Sequence, residues 1–300
     1  MKRFILGHGA TKAGTTQLHE YTKEDPLSRF PRFLMDWRQK EMHFWNHYTM
    51  FGSIIDREFY RPSMRRIFIY LWRQSYQIHS MSYHRYLFQR MSRTQGNYYF
   101  TYYANLLKNG GIVADLTPAY TFLPEEICRR IMSNFEARGI SFRAVYIMRD
   151  PVNRSTSHFM MNRYFSVERE RWIEQVLGLP RDADLNQSFR AYIHLEHQKS
   201  MSDYKKAIDT LSAAYPEEQR MFVLFEEMIK GVKLKELSDF LGVSYRPDAI
   251  GAPVSPRESN LELDEEVLQE CAQLYRPTYE AMAKMFPQTE TLWPGWKYLR

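Results

Sequence analysis

The stretch Phe4-Ile-Leu-Gly-His-Gly-Ala-Thr-Lys-Ala-Gly-Thr-Thr-Gln-Leu18 constrains this chain more than any other. An apolar, strand-like run passes through Gly7, Gly9 and Gly14 and enters a segment of helical character (Gln17, Leu18, Glu20, Tyr21). A strand, a glycine-rich turn and a helix start make an anion site, because backbone N–H groups converge there and the helix dipole favours negative charge. Gly9-x-x-x-x-Gly14 has the spacing of the nucleotide-triphosphate loop, but Thr15 stands where that loop requires a lysine. The lysine, Lys12, sits three residues earlier. The stretch reads as a phosphate cradle that is not built for ATP.

Further strands follow at Ile112-Val-Ala-Asp115, after Gly110-Gly111, at Phe142–Met148, a near-continuous apolar run of the kind found in buried parallel strands, and at Arg220–Phe225. Between them, Pro124 followed by Glu125 and Glu126 signals a helix start, with Ile127, Ile131 and Phe135 on its apolar face and a stop near Gly139. Helical segments fill 166–178 and 186–214, Lys233–Leu241 is a helix closed by Gly242, and a last long helix from Glu262 buries Leu263, Val267, Leu268, Cys271 and Leu274. Strands alternating with helices predict an α/β fold: a P-loop-like, three-layer arrangement with a central, mostly parallel sheet flanked by helices. Ligands then bind at the carboxyl ends of the strands, where the glycine loop, Asp115 and Arg149 all fall. The 300 residues are expected to form a single domain, 1–300, with an aromatic-rich, mostly helical insertion at about 44–103. Such an insertion is more often core packing than binding surface, though exposed rings would suit stacking on a sugar or ring-bearing ligand.

Composition narrows the partners. Lys+Arg 41 against Asp+Glu 35 gives a net charge of +6, which suits an anionic ligand, and no basic run of the kind that forms a nucleic-acid arm is present. Nucleic acid is therefore not an expected partner. Cys128 and Cys271 lie far apart and outside any C-x-x-C pair, so two free buried thiols are expected. No run approaches the ~18 apolar residues of a membrane span. Lys2 and Arg3 lead straight into the first strand, which is unlike a signal peptide, so a cytoplasmic location is expected.

A second anion feature is Arg149-Asp-Pro-Val-Asn-Arg-Ser-Thr-Ser157, which follows a strand directly. Arginine offers a rigid fork for phosphate and Ser157 adds a hydroxyl donor. The structural alternative is Asp150 capping a helix with Pro151 at its first position, and both readings are compatible. With these motifs the chain resembles the sulfotransferases that use 3′-phosphoadenosine-5′-phosphosulfate (PAPS). Ala10–Leu18 is similar to that family's 5′-phosphosulfate loop, and Val145–Phe159 to its 3′-phosphate motif. Lys40-Glu-Met-His-Phe-Trp45 and Asp115-Leu-Thr-Pro-Ala-Tyr120 resemble the branch that includes the heparan sulfate sulfotransferases. The motifs are collinear over roughly residues 3–165, and Phe222–Leu241 fits more loosely.

The resemblance implies sulfonate transfer from PAPS to a hydroxyl or amine of a glycan or small-molecule acceptor, with 3′,5′-bisphosphoadenosine (PAP) as product and no metal. It implies that Lys12 stabilises charge on the leaving phosphate. Ala13, Gly14, Thr15, Thr16 and Gln17 would hold the 5′-phosphate, and Arg149 and Ser157 the 3′-phosphate. Glu41 would be the general base, with Lys40 and His43 lining the site and His43 counted with the catalytic group. Asp115 is the second candidate base. Arg257, in the loop 246–260, would close over the cofactor, or is simply an exposed loop arginine. One departure stands out: the family's acid is followed by a lysine, here replaced by Leu116. The aromatic insertion would shape the acceptor site. His43/His47 and His194/His197 have metal-edge spacing but show no third ligand. Two other readings compete: a P-loop kinase or nucleotide hydrolase, which needs a lysine beside Gly14 and an acidic Mg²⁺ ligand, and a non-catalytic anion-binding domain, which would have lost Lys12, Glu41 or Arg149.

Overall fold

The computed structural model describes residues 1–29, 40–51, 87, 90–165, 169–250 and 262–300. The apolar runs form strands β1 (Lys2–Gly7), β2 (Gly111–Leu116), β3 (Ser141–Met148) and β4 (Arg220–Leu224). They pair in the order β2-β1-β3-β4, and every pairing is parallel. All six residues of β2 are buried, as expected of a strand covered on both faces. In the register, Gly7 sits beside Leu116 and Val145, and Met148 beside Leu224, so all four carboxyl ends reach one edge. From β1 the chain moves to one side to make β2, then crosses to the other side to make β3. That reversal opens a crevice between β1 and β3, which is where open α/β sheets take their ligands.

The helices flank this sheet. They begin with α1 (Thr15–Lys23), α2 (Phe44–Phe51), α3 (Asn97–Leu106), α4 (Glu125–Glu136), α5 (Pro151–Phe165) and α6 (Arg169–Leu177). The expected single segment 186–214 is three helices: α7 (Leu185–Ile193), α8 (Glu196–Ser200) and α9 (Tyr204–Ala214). Asp184 and Gln187 form a reciprocal capping box that starts α7, and of the two breaks that follow, the second is capped by Asp203, which accepts from the Lys206 N–H, while the first, at Leu195, has no side-chain cap. After α10 (Phe225–Ile229) and α11 (Leu234–Leu241), the expected last long helix is also divided, into α12 (Glu265–Leu274) and α13 (Arg276–Met285). Pro277 sits in the first turn of α13, where its missing N–H costs nothing.

Most of the aromatic insertion lies outside the described residues. Among its described residues several rings enter the core, while Tyr98 is half-buried and Asn97 and Thr101 are exposed. Phe44, Trp45, Tyr99, Phe100 and Tyr103 are buried, with Trp45 and Tyr99 edge-to-face at 5.3 Å and Phe4 stacked on Phe135 at 3.9 Å beside them. Each such ring pair adds about 0.5–1.5 kcal/mol beyond the area it buries. Cys128 and Cys271 are free and buried, and burial pushes their thiols up to about 11 and about 12. No described helix is long and apolar enough to cross a membrane.

The C-terminal segment is tied to the start of α5. Asp150 Oδ1 accepts from the Asn153 N–H, so the capping reading holds, while its Oδ2 accepts from Tyr279 Oη at 2.8 Å and Gly295 N–H at 2.9 Å. Glu226 Oε1 accepts from the Asp150 N–H at 3.0 Å and its Oε2 from Trp293 Nε1 at 3.1 Å. Two buried acidic side chains, Asp150 and Glu226, thus tie Tyr279, Trp293 and Gly295 to the start of α5.

Candidate active site at the carboxyl edge of the sheet

Past β1 the chain stays beside β3: His8 N–H donates to Val145 O and Ala10 N–H to Ile147 O, and Ile147 N–H donates back to Gly9 O. The loop then turns through Gly9 (φ +113°) and Gly14 (φ +94°). A Cβ on Gly9 would lie 2.7 Å from Pro118 O, and one on Gly14 would lie 2.5 Å from the Phe225 ring. Both positions therefore need glycine for backbone angle and for space. Gly14 precedes α1 without a side-chain cap, so the first N–H groups of that helix open towards the crevice together with the hydroxyls of Thr15 and Thr16.

Arg149 and the loop meet directly. Arg149 Nη1 donates to Lys12 O at 3.0 Å, and the guanidinium lies 4.7 Å from the centre of the Phe225 ring. Lys12 Nζ lies 3.7 Å from Met161 Sδ on α5. Ser157 is one helical turn before Met161 and so shares its face of α5. Behind that face His158 Nδ1 is shared by Gln198 Oε1 and Tyr192 Oη. Burial, offset in part by the Gln198 hydrogen bond and reinforced by Arg154 and Lys12, holds His158 down at about 4. It is neutral at pH 7.

The segment 40–43 docks on the end of β2 through three consecutive contacts. Leu116 N–H donates to Lys40 O (2.7 Å), Met42 N–H to Asp115 Oδ1 (3.1 Å) and His43 N–H to Thr117 Oγ1 (3.3 Å). Its side chains then line up along the loop. Lys40 Nζ donates to Thr15 Oγ1 (3.2 Å) and Thr16 Oγ1 (3.1 Å) and pairs with Glu41 Oε1 (2.5 Å), while His43 Nε2 donates to Glu41 Oε2 (2.9 Å). Burial would push the Glu41 carboxyl up, but the His43 hydrogen bond and the Lys40 ammonium outweigh it and hold Glu41 below the usual glutamate range. Glu41 is therefore a carboxylate at neutral pH.

Asp115 has a different role from the one its strand-end position suggests. It is fully buried, and besides Met42 N–H it accepts from Thr117 Oγ1 (2.6 Å), Tyr99 Oη (2.8 Å) and Tyr120 Oη (2.9 Å). Burial raises its carboxyl and these four donors oppose the rise. Oδ1 holds the 40–43 segment through Met42 N–H and is shared with Thr117, while Oδ2 is taken up by Tyr99 and Tyr120, so Asp115 anchors the segment with both oxygens engaged.

No protein-family model matches the chain, and no curated protein matches it in sequence. Its structure is similar to those of sulfotransferases. With a sulfotransferase from Alicyclobacillus acidocaldarius it shares 18% identity over 95% of each chain, at a TM-score of 0.49. With the sulfotransferase domain of the Synechococcus PCC 7002 olefin synthase it shares 16% identity over 89% of this chain and 82% of that one, at a TM-score of 0.39. With the sulfotransferase domain of the curacin biosynthetic pathway the figures are 15%, 86%, 78% and 0.38. None of these three is described as a heparan sulfate enzyme, and the expected place in that branch gains no support from them.

Of the residues expected from sequence, the structure brings together Lys12, Gly14, Thr15, Thr16, Glu41, His43 and Arg149, with Ser157 on the facing side of α5. Ala13 is buried within the turn and Gln17 lies in the first turn of α1. Arg257 lies outside the described residues, and so does the side chain of His47. His194 belongs elsewhere, on the surface beside Glu270 (3.0 Å). Sequence reasoning assigned no part to Tyr99, Thr117 or Phe225. The Thr-Pro-x-Tyr run after Asp115 carried a signal for two of Asp115's partners, Thr117 and Tyr120, but nothing local marks Tyr99 or Phe225.

Proposed function

We propose that this chain transfers a sulfonate group from PAPS to a hydroxyl or amine acceptor. The observation that carries the reading is the continuity between an anion loop and an ionised carboxylate: Lys40 Nζ touches both Thr15 and Thr16 hydroxyls and Glu41. On this reading a phosphate cradle and a base stand side by side. The chemistry of the crevice fits the donor. The uncapped N-terminus of α1, Lys12 and the two hydroxyls suit a 5′-phosphosulfate, and Arg149 with Ser157 suits a second phosphate. PAPS supplies an electrophilic sulfur and a bis-phosphate leaving group.

In this reading Lys12 and the loop N–H groups stabilise the charge that grows on the 5′-phosphate oxygen as its bond to sulfur breaks. Glu41, oriented by His43, takes the proton from the acceptor as the new bond to sulfur forms, and the bond-breaking electron pair leaves on the phosphate. A positioned base of this kind contributes about 10²–10⁴-fold. The branch resemblance carried by Lys40–Trp45 supports Glu41 in that role. The acceptor class, glycan or small metabolite, rests on the resemblance alone.

The test is a thermal shift with 3′,5′-bisphosphoadenosine against ATP plus Mg²⁺. Stabilisation by the bisphosphate with little from ATP is expected, and the reverse result favours the kinase reading. With labelled donor and an acceptor panel, Lys12→Ala and Glu41→Gln each abolish sulfonate transfer, while Glu41→Gln still binds the bisphosphate. Full activity in Glu41→Gln would remove Glu41 from the mechanism.

A further inference from the structure

The position after Asp115 carries a buried leucine, Leu116, so the end of β2 contributes no cation to the crevice. Lys40 reaches the same place from the docked segment. It is almost fully buried, and its three N–H donors are matched by Thr15 Oγ1, Thr16 Oγ1 and Glu41 Oε1. Each threonine hydroxyl that accepts from Lys40 keeps its own hydrogen to give to an anion on the loop. Lys40 is therefore one bond away from any phosphate held there, and at the same time in an ion pair with the base.

Its neighbours leave that pairing undisturbed. His19, one turn into α1, is pushed down to about 3 by burial and by the charges of Lys40 and Lys23, so it adds no positive charge at neutral pH. Asp115 is turned onto Met42, Thr117, Tyr99 and Tyr120. His43 grips the other oxygen of Glu41. Lys12 and Arg149 stand on the β3 side of the loop. A carboxylate that is paired with an ammonium is a weaker base than one that is not, because the cation favours its ionised form.

We propose that Lys40 couples donor binding to the readiness of the base: it is paired with Glu41, turns onto the donor's phosphosulfate when that anion binds, and by leaving makes Glu41 a stronger acceptor of the substrate's proton. The inference rests on the donor assignment above. Lys40 moves no proton in this step. The proton passes from acceptor to Glu41, the sulfur–oxygen bond to the 5′-phosphate breaks, and the electron pair stays with the phosphate beside Lys12 and Lys40. The arrangement would keep the base weak until a donor is in place.

A double-mutant cycle on binding of 3′,5′-bisphosphoadenosine, followed by calorimetry, tests the coupling without using activity. Lys40→Met is expected to weaken binding about tenfold or more, the size of a lost charge-assisted hydrogen bond. Glu41→Gln is expected to tighten it about threefold to tenfold, because Lys40 no longer has to break its pair. In the Lys40→Met background that gain largely disappears. If Glu41→Gln tightens binding equally in both backgrounds, Glu41 acts on the ligand only by direct repulsion and the proposal falls. Unweakened binding in Lys40→Met also overturns it. Lys40→Gln and Lys40→Arg guard against a folding defect: the first should repeat the loss and the second restore affinity at an unchanged melting temperature. If the unaltered chain does not bind the bisphosphate, the donor assignment itself is wrong and this inference goes with it.

Discussion

Four hydrogen bonds converge on Asp115, and they explain why an acid at a strand end can be indispensable without touching the chemistry. Asp115→Ala leaves one buried N–H and three buried hydroxyls without their acceptor. At about 1–3 kcal/mol for each unsatisfied group, less what the hydroxyls recover by turning, a loss of about 3–4 kcal/mol in urea unfolding is expected. Asp115→Asn should cost less. Its oxygen must face Met42 N–H, which cannot turn, so its amide faces Tyr99 and Tyr120, whose hydroxyls can. A neighbouring residue makes the opposite case. Arg149→Lys keeps the charge but loses the planar fork that lies along Phe225 and reaches Lys12 O. Calorimetry with the bisphosphate should show a loss of about tenfold or more, since a lysine at such a stacked position is not a conservative change.

At the scale of the element, the fastening of the C-terminal segment to α5 carries a pH signature. Burial, offset in part by the Asp150 N–H and raised further by the Asp150 charge, pushes Glu226 up to about 7. A carboxyl raised in the folded state binds protons that the unfolded chain has released. Its contribution to stability is therefore complete below about pH 4.5 and is lost as pH rises to about 7, by about 3 kcal/mol at most. Urea unfolding from pH 4.5 to 7.5 should show a flatter profile in Glu226→Gln than in the unaltered chain, whatever the offset between them. The elements themselves differed in how plainly the sequence announced them. β1 and β3 are long apolar runs with only one reasonable structure, and Pro124-Glu-Glu126 marks the start of α4 to within a residue. Segment 186–214 misled because its apolar spacing stays helical throughout, while one break comes at Leu195 without any side-chain cap and the other at Asp203, whose cap costs the pattern nothing. Asp115 misled for another reason. A lone acid at a strand end has the same local sequence whether it faces solvent or four donors, and Tyr99 comes from another part of the chain.

Across the whole molecule, the crevice is assembled from segments that follow β1 and β3, with the 40–43 segment docked on β2. Those strands are central or adjoining neighbours in one sheet, so a ligand held by both the loop and Arg149 would bridge the middle of the molecule. Hydrogen exchange should find β1 and β3 the slowest to open, since each is paired on both sides. The bisphosphate should slow exchange in the 8–18 loop and the first turns of α5 together, whereas a ligand of the loop alone would protect the first region only. The net charge is a mild +6, but among the described residues three cations, Lys12, Lys40 and Arg149, stand at this crevice. Their attraction for the ligand should weaken with added salt, less steeply than for fully exposed charges because Lys40 is shielded from solvent.

Lys12 and His43 are two of four non-glycine residues with left-handed backbone angles among the described residues, at φ +66° and +57°. Each such position costs the fold about 1–2 kcal/mol. If the proposed activity holds, the protein carries a tension between endurance and activity at these two positions. A library of this chain selected for heat resistance alone would be drawn towards glycine or asparagine at positions 12 and 43. On that reading its winners would survive longer and transfer nothing.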